Sequence, residues 1–399
     1  MSIRRRTWTT SKGEERSAWM VDYTDQNGKR RAKSFRLKKD AEAFALTAGV
    51  EVREGVHVAD RETVTVAEAG KLWISSGTAA GLERTTLDQR RQHLELHLTP
   101  FLGAVRLNKL TVPAVRAFQD DLREAGRSAA MVARVTVSLG SILSDAQERG
   151  LVVRNAVHEM KSRRKGKNAA QGRHRARLRY GVDIPTREEV RAIVGASQGR
   201  SRPLLLTAVF TGLRSSELRG LPWSAVDLDR GTLDVIQRAD RYQTVGMPKS
   251  DAGHRTIPLP PLVINALRRW KLACPKGKLD LVFPNGAGNL EYHANIIKRV
   301  YHPAQIEAGV TVEERGAEGE TVLKAKYTGL HALRHWYASW CINRKADGGL
   351  ELSPKQVQAR MGHSSITVTY DTYGHLFPAT DETEALAAAE HALLAADAT

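Results

Sequence analysis

Residues 203–237 read PLLLTAVFTGLRSSELRGLPWSAVDLDRGTLDVIQ, and three kinds of local structure are written into them. An apolar helical run stops at Thr211-Gly212, a short polar helix follows, and a strand pair turns at Asp229-Arg230-Gly231. Glycine tolerates the left-handed backbone that ends a helix, so the break at Gly212 is expected to be sharp. Arg214 stands just beyond it, with Glu217 three residues on. Locally the two can form a surface i,i+3 pair. An arginine that opens a helix directly after a tight break is also well placed to turn its guanidinium inward.

Upstream, PTREEVRAIVGAS (185–197) places Thr186 and Glu189 in a capping box before apolar residues. Downstream, the hairpin continues through MPKSDAGHRTIPLP (247–260) and puts Lys249 near its tip. By itself Lys249 reads as an exposed turn lysine. The rest, to residue 378, is mostly helical in pattern, apart from residues 302–327, HPAQIEAGVTVEERGAEGETVLKAKY, which suggest a loop or hairpin excursion. Its glutamates at 307, 313, 314, 318 and 320 argue against DNA contact there.

The amino-terminal half has two characters. AWMVDYTDQNGKRRAKSFRL (18–37) alternates Trp19, Val21 and Tyr23 before an Asn-Gly turn, a hairpin signal. KKDAEAFALTAGVEVREG (38–55) then takes a helical rhythm. Fewer than sixty residues support little more than a three-stranded sheet with one helix across it. Arg30, Arg31 and Lys33, with Trp8, are candidates for a DNA-facing surface. From about 65 to 160 the chain reads as helices, with Pro113 in the first turn of one that stops at Gly126, and a second ending at Gly150. Arg84, Arg90, Arg91 and Arg127 are candidate phosphate contacts there.

The 399 residues suggest two or three domains, and a 41% hydrophobic composition supports real cores. The formal net charge is +17, which favours a polyanionic partner. Its distribution is uneven. Residues 1–39 hold twelve Lys/Arg against four Asp/Glu, residues 161–179 hold nine Lys/Arg and no acid, and residues 379–399 hold five acids and no Lys/Arg. The middle run, with Arg163, Arg164 and Lys165, fits a strap along a duplex backbone or a plain solvated linker. In the acidic tail Leu386, Leu393 and Leu394 form an apolar stripe. MSIRRRTWTTSKGEE has no apolar stretch behind its basic start, no run of about 18 apolar residues occurs, and Cys274 and Cys341 lack disulfide or metal spacing. A cytoplasmic protein is expected.

The remaining chemistry gathers late in the chain. LHALRHWYASW (330–340) sets His331 and Arg334 on one helix face, with His335 and Trp336 expected to point elsewhere. In MGHSSITVTYDTYGHLFP (361–378), Gly362 breaks a helix after which Ser364 or Ser365 can cap the next. His363 follows Gly362, and Tyr370 and Tyr373 lie three apart. A metal is not expected among so many arginines without an acidic ligand at suitable spacing. Two guanidiniums suit the non-bridging oxygens of a phosphodiester and hold its transition-state charge. A phenol with a pKa of about 10 becomes a better nucleophile in a positive field. A lysine or histidine acid can protonate the leaving oxygen.

The four segments TGLRSSELRGLPWSAVD, PKSDAGHRTIPL, LHALRHWYASW and MGHSSITVTYDTYGHLFP, in that order, resemble the tyrosine recombinases, especially phage and mobile-element integrases. The resemblance implies a small three-stranded β-sheet plus helix arm-binding domain (1–60) and an all-α SAM-like core-binding domain (65–160). After a basic linker (161–182) would come a mixed, mainly-α catalytic domain with a small β-sheet (183–378), then an acidic tail (379–399). Arg214 and Arg334 would clamp phosphate, Lys249 would protonate the 5′ oxygen, and His331 would help handle the nucleophile's proton. His363 would support the transition state, Glu217 would order the site, and Tyr373 would attack, with Tyr370 packing beside it. The family works without cofactor or metal, through a 3′-phosphotyrosyl link and a Holliday junction. Its partners would be double-stranded DNA attachment sites, further copies in a homotetramer, a host DNA-bending protein and an excision factor.

Overall fold

The computed structural model describes residues 1–59, 62–162, 177–248, 250–315, 320–378 and 382–395. The chain divides into two compact units, Met1–Lys167 and Asn168–Thr399.

The first unit opens with an antiparallel sheet of β1 (Ser2–Thr9), β2 (Glu15–Thr24) and β3 (Arg30–Phe35), in that order, and with α1 (Lys38–Arg53). Asn27-Gly28 turns the second hairpin, with Gly28 at φ +77°. Register assigns each side chain to a face. Trp19 pairs with Arg5 and Phe35, Val21 with Ile3 and Lys33, and Tyr23 with Arg31. Val21, Tyr23 and Ala41 form the buried core, with Trp19, Phe35 and Phe44 against it, so this face looks to α1. The alternate residues, among them Arg4, Arg6, Trp8, Arg16, Met20 and Arg30, lie on the open face. The expected trio Arg30, Arg31 and Lys33 is therefore split. Arg31 pairs with Asp25 at 2.8 Å and with Glu62, and the Lys33 ammonium lies over the Phe44 ring at 4.4 Å. A one-residue step in a strand moves a side chain to the other face.

The same unit continues with α2 (Val66–Ala79), α3 (Arg84–His93), α4 (Thr99–Leu102), α5 (Val112–Glu124), α6 (Ala129–Glu148) and α7 (Ala156–Ser162). A single π-turn, Leu94–Leu98, joins α3 to α4. Hydroxyl caps define the starts: Thr65 with Glu68 in a capping box, Thr111 before Pro113, and Ser128. Trp73, Leu98, Phe118, Leu139, Ile142 and Leu143 are central to the core. Helix α6 is long and apolar enough to cross a membrane by length and composition, but Val132, Val135, Leu139 and Leu143 are buried in this core.

In the second unit come α8 (Arg187–Ala196), α9 (Ser201–Thr211) and α10 (Ser215–Gly220). Next are β4 (Val226–Asp227), β5 (Thr232–Val235), β6 (Arg238–Ala239), β7 (Val245–Gly246) and β8 (Arg255–Pro258). Strands order as β4-β5-β8 and, separately, β6-β7. Helices α11 (Pro261–Ala273), α12 (His293–Ile296) and α13 (His302–Glu307) precede a hairpin of β9 (Thr311–Arg315) and β10 (Thr321–Ala325). Then follow α14 (His331–Ile342), α15 (Pro354–Met361), α16 (Ile366–Tyr373) and α17 (Glu382–Ala395).

Helix α9 is apolar all round because it is central, with Leu204, Leu205, Leu206 and Val209 buried against α11 and α14. The capping box at Thr186 forms, and Glu189 also accepts from Lys326 and Tyr327, tying the base of the β9–β10 hairpin to α8. The described residues of 302–327 are thus a short helix followed by two paired strands.

Candidate active site

Three chain breaks bring the site together. Gly212 ends α9 at φ +59°, Arg214 is the N-cap of α10, and Gly362 ends α15 at φ +61° just before His363. Ser365 then caps α16, which carries Tyr373 in its last position.

Arg214 bridges two of these breaks. Its Nη1 donates to Glu217 Oε1 at 2.8 Å, and its Nη2 to the Gly362 carbonyl at 2.9 Å. Its backbone N–H donates to Glu217 Oε2 at 2.8 Å. The surface-pair reading of Arg214 and Glu217 is thus half right: they pair, but Glu217 is only 4% exposed. Opposite, Arg255 donates Nη1 and Nη2 to Glu217 at 3.2 and 2.8 Å, and Nε to the Arg360 carbonyl at 2.9 Å. Burial alone would raise the Glu217 carboxyl, but the Arg255 hydrogen bonds and charge outweigh it and bring it to about 2.

Arg334 is more deeply held, at 2% exposure. It donates to the carbonyls of Gly212 and Met361, both at C-terminal helix ends. Such ends carry unsatisfied carbonyls and the negative pole of the helix, which offset a buried cation. Burial, then the neighbouring Arg214 charge, still lower its pKa to about 10.

Around the two arginines stand three imidazoles and one phenol. The His363 ring is buried, with Nδ1 hydrogen-bonded to Thr369 Oγ1 at 2.9 Å, and it stacks parallel to Tyr373 with centroids 6.2 Å apart. Burial first, then Arg334, Arg214 and Arg255, push it down to about 4. Tyr373 is 2% exposed, and its phenol is 2.9 Å from His335 Nδ1. The His335 ring stands edge-on to His331, with centroids 4.5 Å apart. Burial raises the Tyr373 phenol to about 12 despite the opposing fields of Arg334 and Arg214. Here the positive field does not outweigh desolvation.

Two expectations are corrected here. His335 does not point elsewhere: one helical turn and four residues from His331, it shares that face and is the partner of Tyr373. Tyr370 does not pack beside Tyr373; it is 53% exposed with its ring against Phe377. Arg255 was not singled out from the sequence. Its strand alternation with buried Ile257 was the available signal.

The other candidates disperse. Lys249, Arg163, Arg164 and Lys165 lie outside the described residues, though Pro248 and Ser250 flank the first of them. Arg90 stacks on Trp73, 4.0 Å from the ring centroid, and donates to the Trp73 carbonyl at 2.9 Å, so its guanidinium braces α2. Arg91 pairs with Asp88 at 2.8 Å, while Arg84 and Arg127 are exposed.

Two guanidiniums, clustered imidazoles and a buried tyrosine on a mainly helical domain with a small sheet define the tyrosine recombinase class. Residues 185–380 match the sequence model of the phage integrase family, and this part of the chain is of the tyrosine recombinase type. A tyrosine recombinase XerC-like protein of Caldanaerobacter subterraneus subsp. tengcongensis is 24% identical over 382 residues, covering 89% of this chain and 90% of that protein. Against the prophage integrase IntR of Escherichia coli and a tyrosine recombinase XerC of Xylella fastidiosa, the match spans about half of their length. Among solved structures, the Tn1549 transposon integrase in complex with a circular intermediate DNA superposes with a TM-score of 0.60 at 19% identity, covering 82% of this chain and 99% of that one. A lambda integrase tetramer bound to a Holliday junction gives 0.53 at 18% identity, covering 90% and 96%.

Proposed function

We propose that this protein is a site-specific DNA recombinase that integrates or excises a phage or mobile element through a 3′-phosphotyrosyl intermediate and a Holliday junction. The observation that carries the reading is the convergence of Arg214, Arg334, His363 and Tyr373 from three separate segments. A scissile phosphate between the guanidiniums would receive donors to its non-bridging oxygens, which gain charge in the transition state. Its negative charge would also offset the arginines' neighbouring positive charges. Tyr373 would displace the 5′ oxygen, with Lys249 as its acid and His363 supporting the transition state. The freed 5′ hydroxyl of a second duplex then attacks the link, conserving the phosphodiester energy.

The open face of the amino-terminal sheet is the proposed arm-site surface, with Arg4, Arg6, Trp8 and Arg30 its contacts. Arg84, Arg91, Arg127 and the basic run with Arg163, Arg164 and Lys165 would neutralise core-site phosphates. Paired sites would be held by a homotetramer in which the exposed Leu386, Leu393 and Leu394 of α17 pack on a neighbouring copy. A host DNA-bending protein and an excision factor would set direction.

The test is incubation with nicked DNA bearing the candidate core site, followed by denaturing electrophoresis. A covalent adduct that Tyr373→Phe abolishes and Tyr370→Phe retains is the expected result. Absence of any adduct on cognate DNA would make the chain a silent DNA-binding protein.

A further inference from the structure

We infer that His335 is the base of this site, accepting the phenolic proton of Tyr373 on Nδ1 as the tyrosine attacks phosphorus. This rests on the recombinase reading above and moves the nucleophile's proton, which the motif resemblance gives to His331, to a residue to which it gives no role.

The proton needs a protein acceptor. Tyr373 is 2% exposed, so bulk water does not reach its hydroxyl in this state. Among the described residues the group hydrogen-bonded to that hydroxyl is His335, through Nδ1 at 2.9 Å. The alternatives are worse placed. His363 lies parallel to the phenol ring, within 8° of its plane, and its Nδ1 is engaged by Thr369. A stacked imidazole offers its face, not an in-plane lone pair, to its neighbour. His331 meets the edge of His335 rather than the phenol. Arg214, Arg255 and Arg334 are permanent donors.

For Nδ1 to accept, His335 must be neutral, with its proton on Nε2. Its surroundings keep it so: burial first, then His331 and Arg334, lower its pKa to about 4, while Asp183 pulls the other way. A phosphodiester bound at Arg334 and Arg214 brings a negative charge that raises the basicity of His335 when it is needed. Asp183 favours the imidazolium that forms. In the step, the Oη–H bond breaks and its proton goes to His335 Nδ1. The Oη–P bond forms, the P–O5′ bond breaks, and the 5′ oxygen takes a proton from the acid assigned to Lys249. Rejoining reverses each transfer, with the His335 imidazolium returning its proton to the departing phenol.

The experiment is single-turnover adduct formation on a nicked core-site duplex, using the full chain and His335→Asn, whose amide keeps an acceptor near Nδ1 but is not basic. DNA affinity is measured in parallel. The expected result is unchanged affinity with a fall of about 10²-fold or more in rate. That fall should persist on DNA with sulfur at the 5′ bridging position, where a thiolate leaves without an acid, whereas Lys249→Ala should be restored. A wild-type rate in His335→Asn, or its restoration by sulfur, overturns the assignment while leaving the recombinase reading intact. No adduct from the unsubstituted protein overturns that reading itself. Should His335→Asn fail to fold, the unsubstituted protein on the sulfur substrate decides. A rate nearly flat from pH 7 to 9 is the signature of a neutral imidazole base. A tenfold rise per pH unit means attack by free phenolate and removes His335 from the step.

Discussion

Arg255 grips Glu217 with both terminal nitrogens, at 3.2 and 2.8 Å, across 38 residues of chain. The Arg255 and Glu217 side chains are almost entirely buried, and Glu217 passes the grip on to Arg214 through Oε1 at 2.8 Å. Arg214 is thus held by a carboxylate that a second arginine holds in turn.

Glu217→Gln should therefore remove far more than a surface ion pair. It leaves the Arg255 cation buried without its counter-charge, which costs about 3–5 kcal/mol when one partner of a buried pair is removed. Urea unfolding of the two proteins measures the difference. The Glu217 carboxyl is held at about 2 against an ordinary 4.5. Its contribution is consequently full above pH 4.5 and disappears as pH falls through about 2. The stability gap between wild type and Glu217→Gln should narrow across that window.

Gly362→Ala tests the loop that carries His363. Its backbone is left-handed at φ +61°, and an added Cβ would stand 2.8 Å from Arg255 Nη1 and 2.9 Å from the Ala252 carbonyl. A strained backbone of this kind costs about 1–3 kcal/mol. Because the Gly362 carbonyl also accepts from Arg214, adduct formation should fall even at temperatures where the variant remains folded. Circular dichroism melting and single-turnover cleavage separate the two effects.

The sheet's faces make opposite predictions for adjacent arginines. Arg30→Ala and Arg6→Ala, on the open face, should weaken arm-site DNA binding and reduce the salt slope by roughly 0.9 for each phosphate no longer neutralised. Arg31→Ala should instead destabilise the fold, since it strips the buried Asp25 of its 2.8 Å partner. Salt-dependent binding curves beside thermal melts distinguish them.

Arg90→Ala should behave as a packing variant. Loss of the guanidinium over Trp73 should cost about 1–2 kcal/mol in the helical part of the first unit, with little change in the salt dependence of DNA binding. A shallower salt slope instead would return Arg90 to the phosphate-binding surface.

Deleting residues 381–399 should leave single-site binding unchanged and weaken assembly on paired sites, because Leu386, Leu393 and Leu394 are exposed in this chain. Native gel electrophoresis with one and with two sites reads both properties. Unchanged paired-site assembly would mean the tail does not bridge copies.

Much of this architecture was legible in the sequence because its signals are local. A glycine that must turn left-handed, a threonine that caps its own helix and an Asn-Gly hairpin each act within a few residues. Hence Gly212, Gly362, Thr186 and the 27–28 turn stand where the sequence places them. The motif order likewise marked Arg214, Arg334, His363 and Tyr373 as one site. Only the tertiary structure decided what each of these groups touches. It set Arg30 apart from Arg31 and Lys33, seated Arg255 against Glu217, turned Tyr370 outward and gave the Tyr373 hydroxyl to His335. Those outcomes depend on which faces of distant elements meet, and on whether burial or charge prevails where they do. Desolvation of a phenol is not written in its neighbours along the chain.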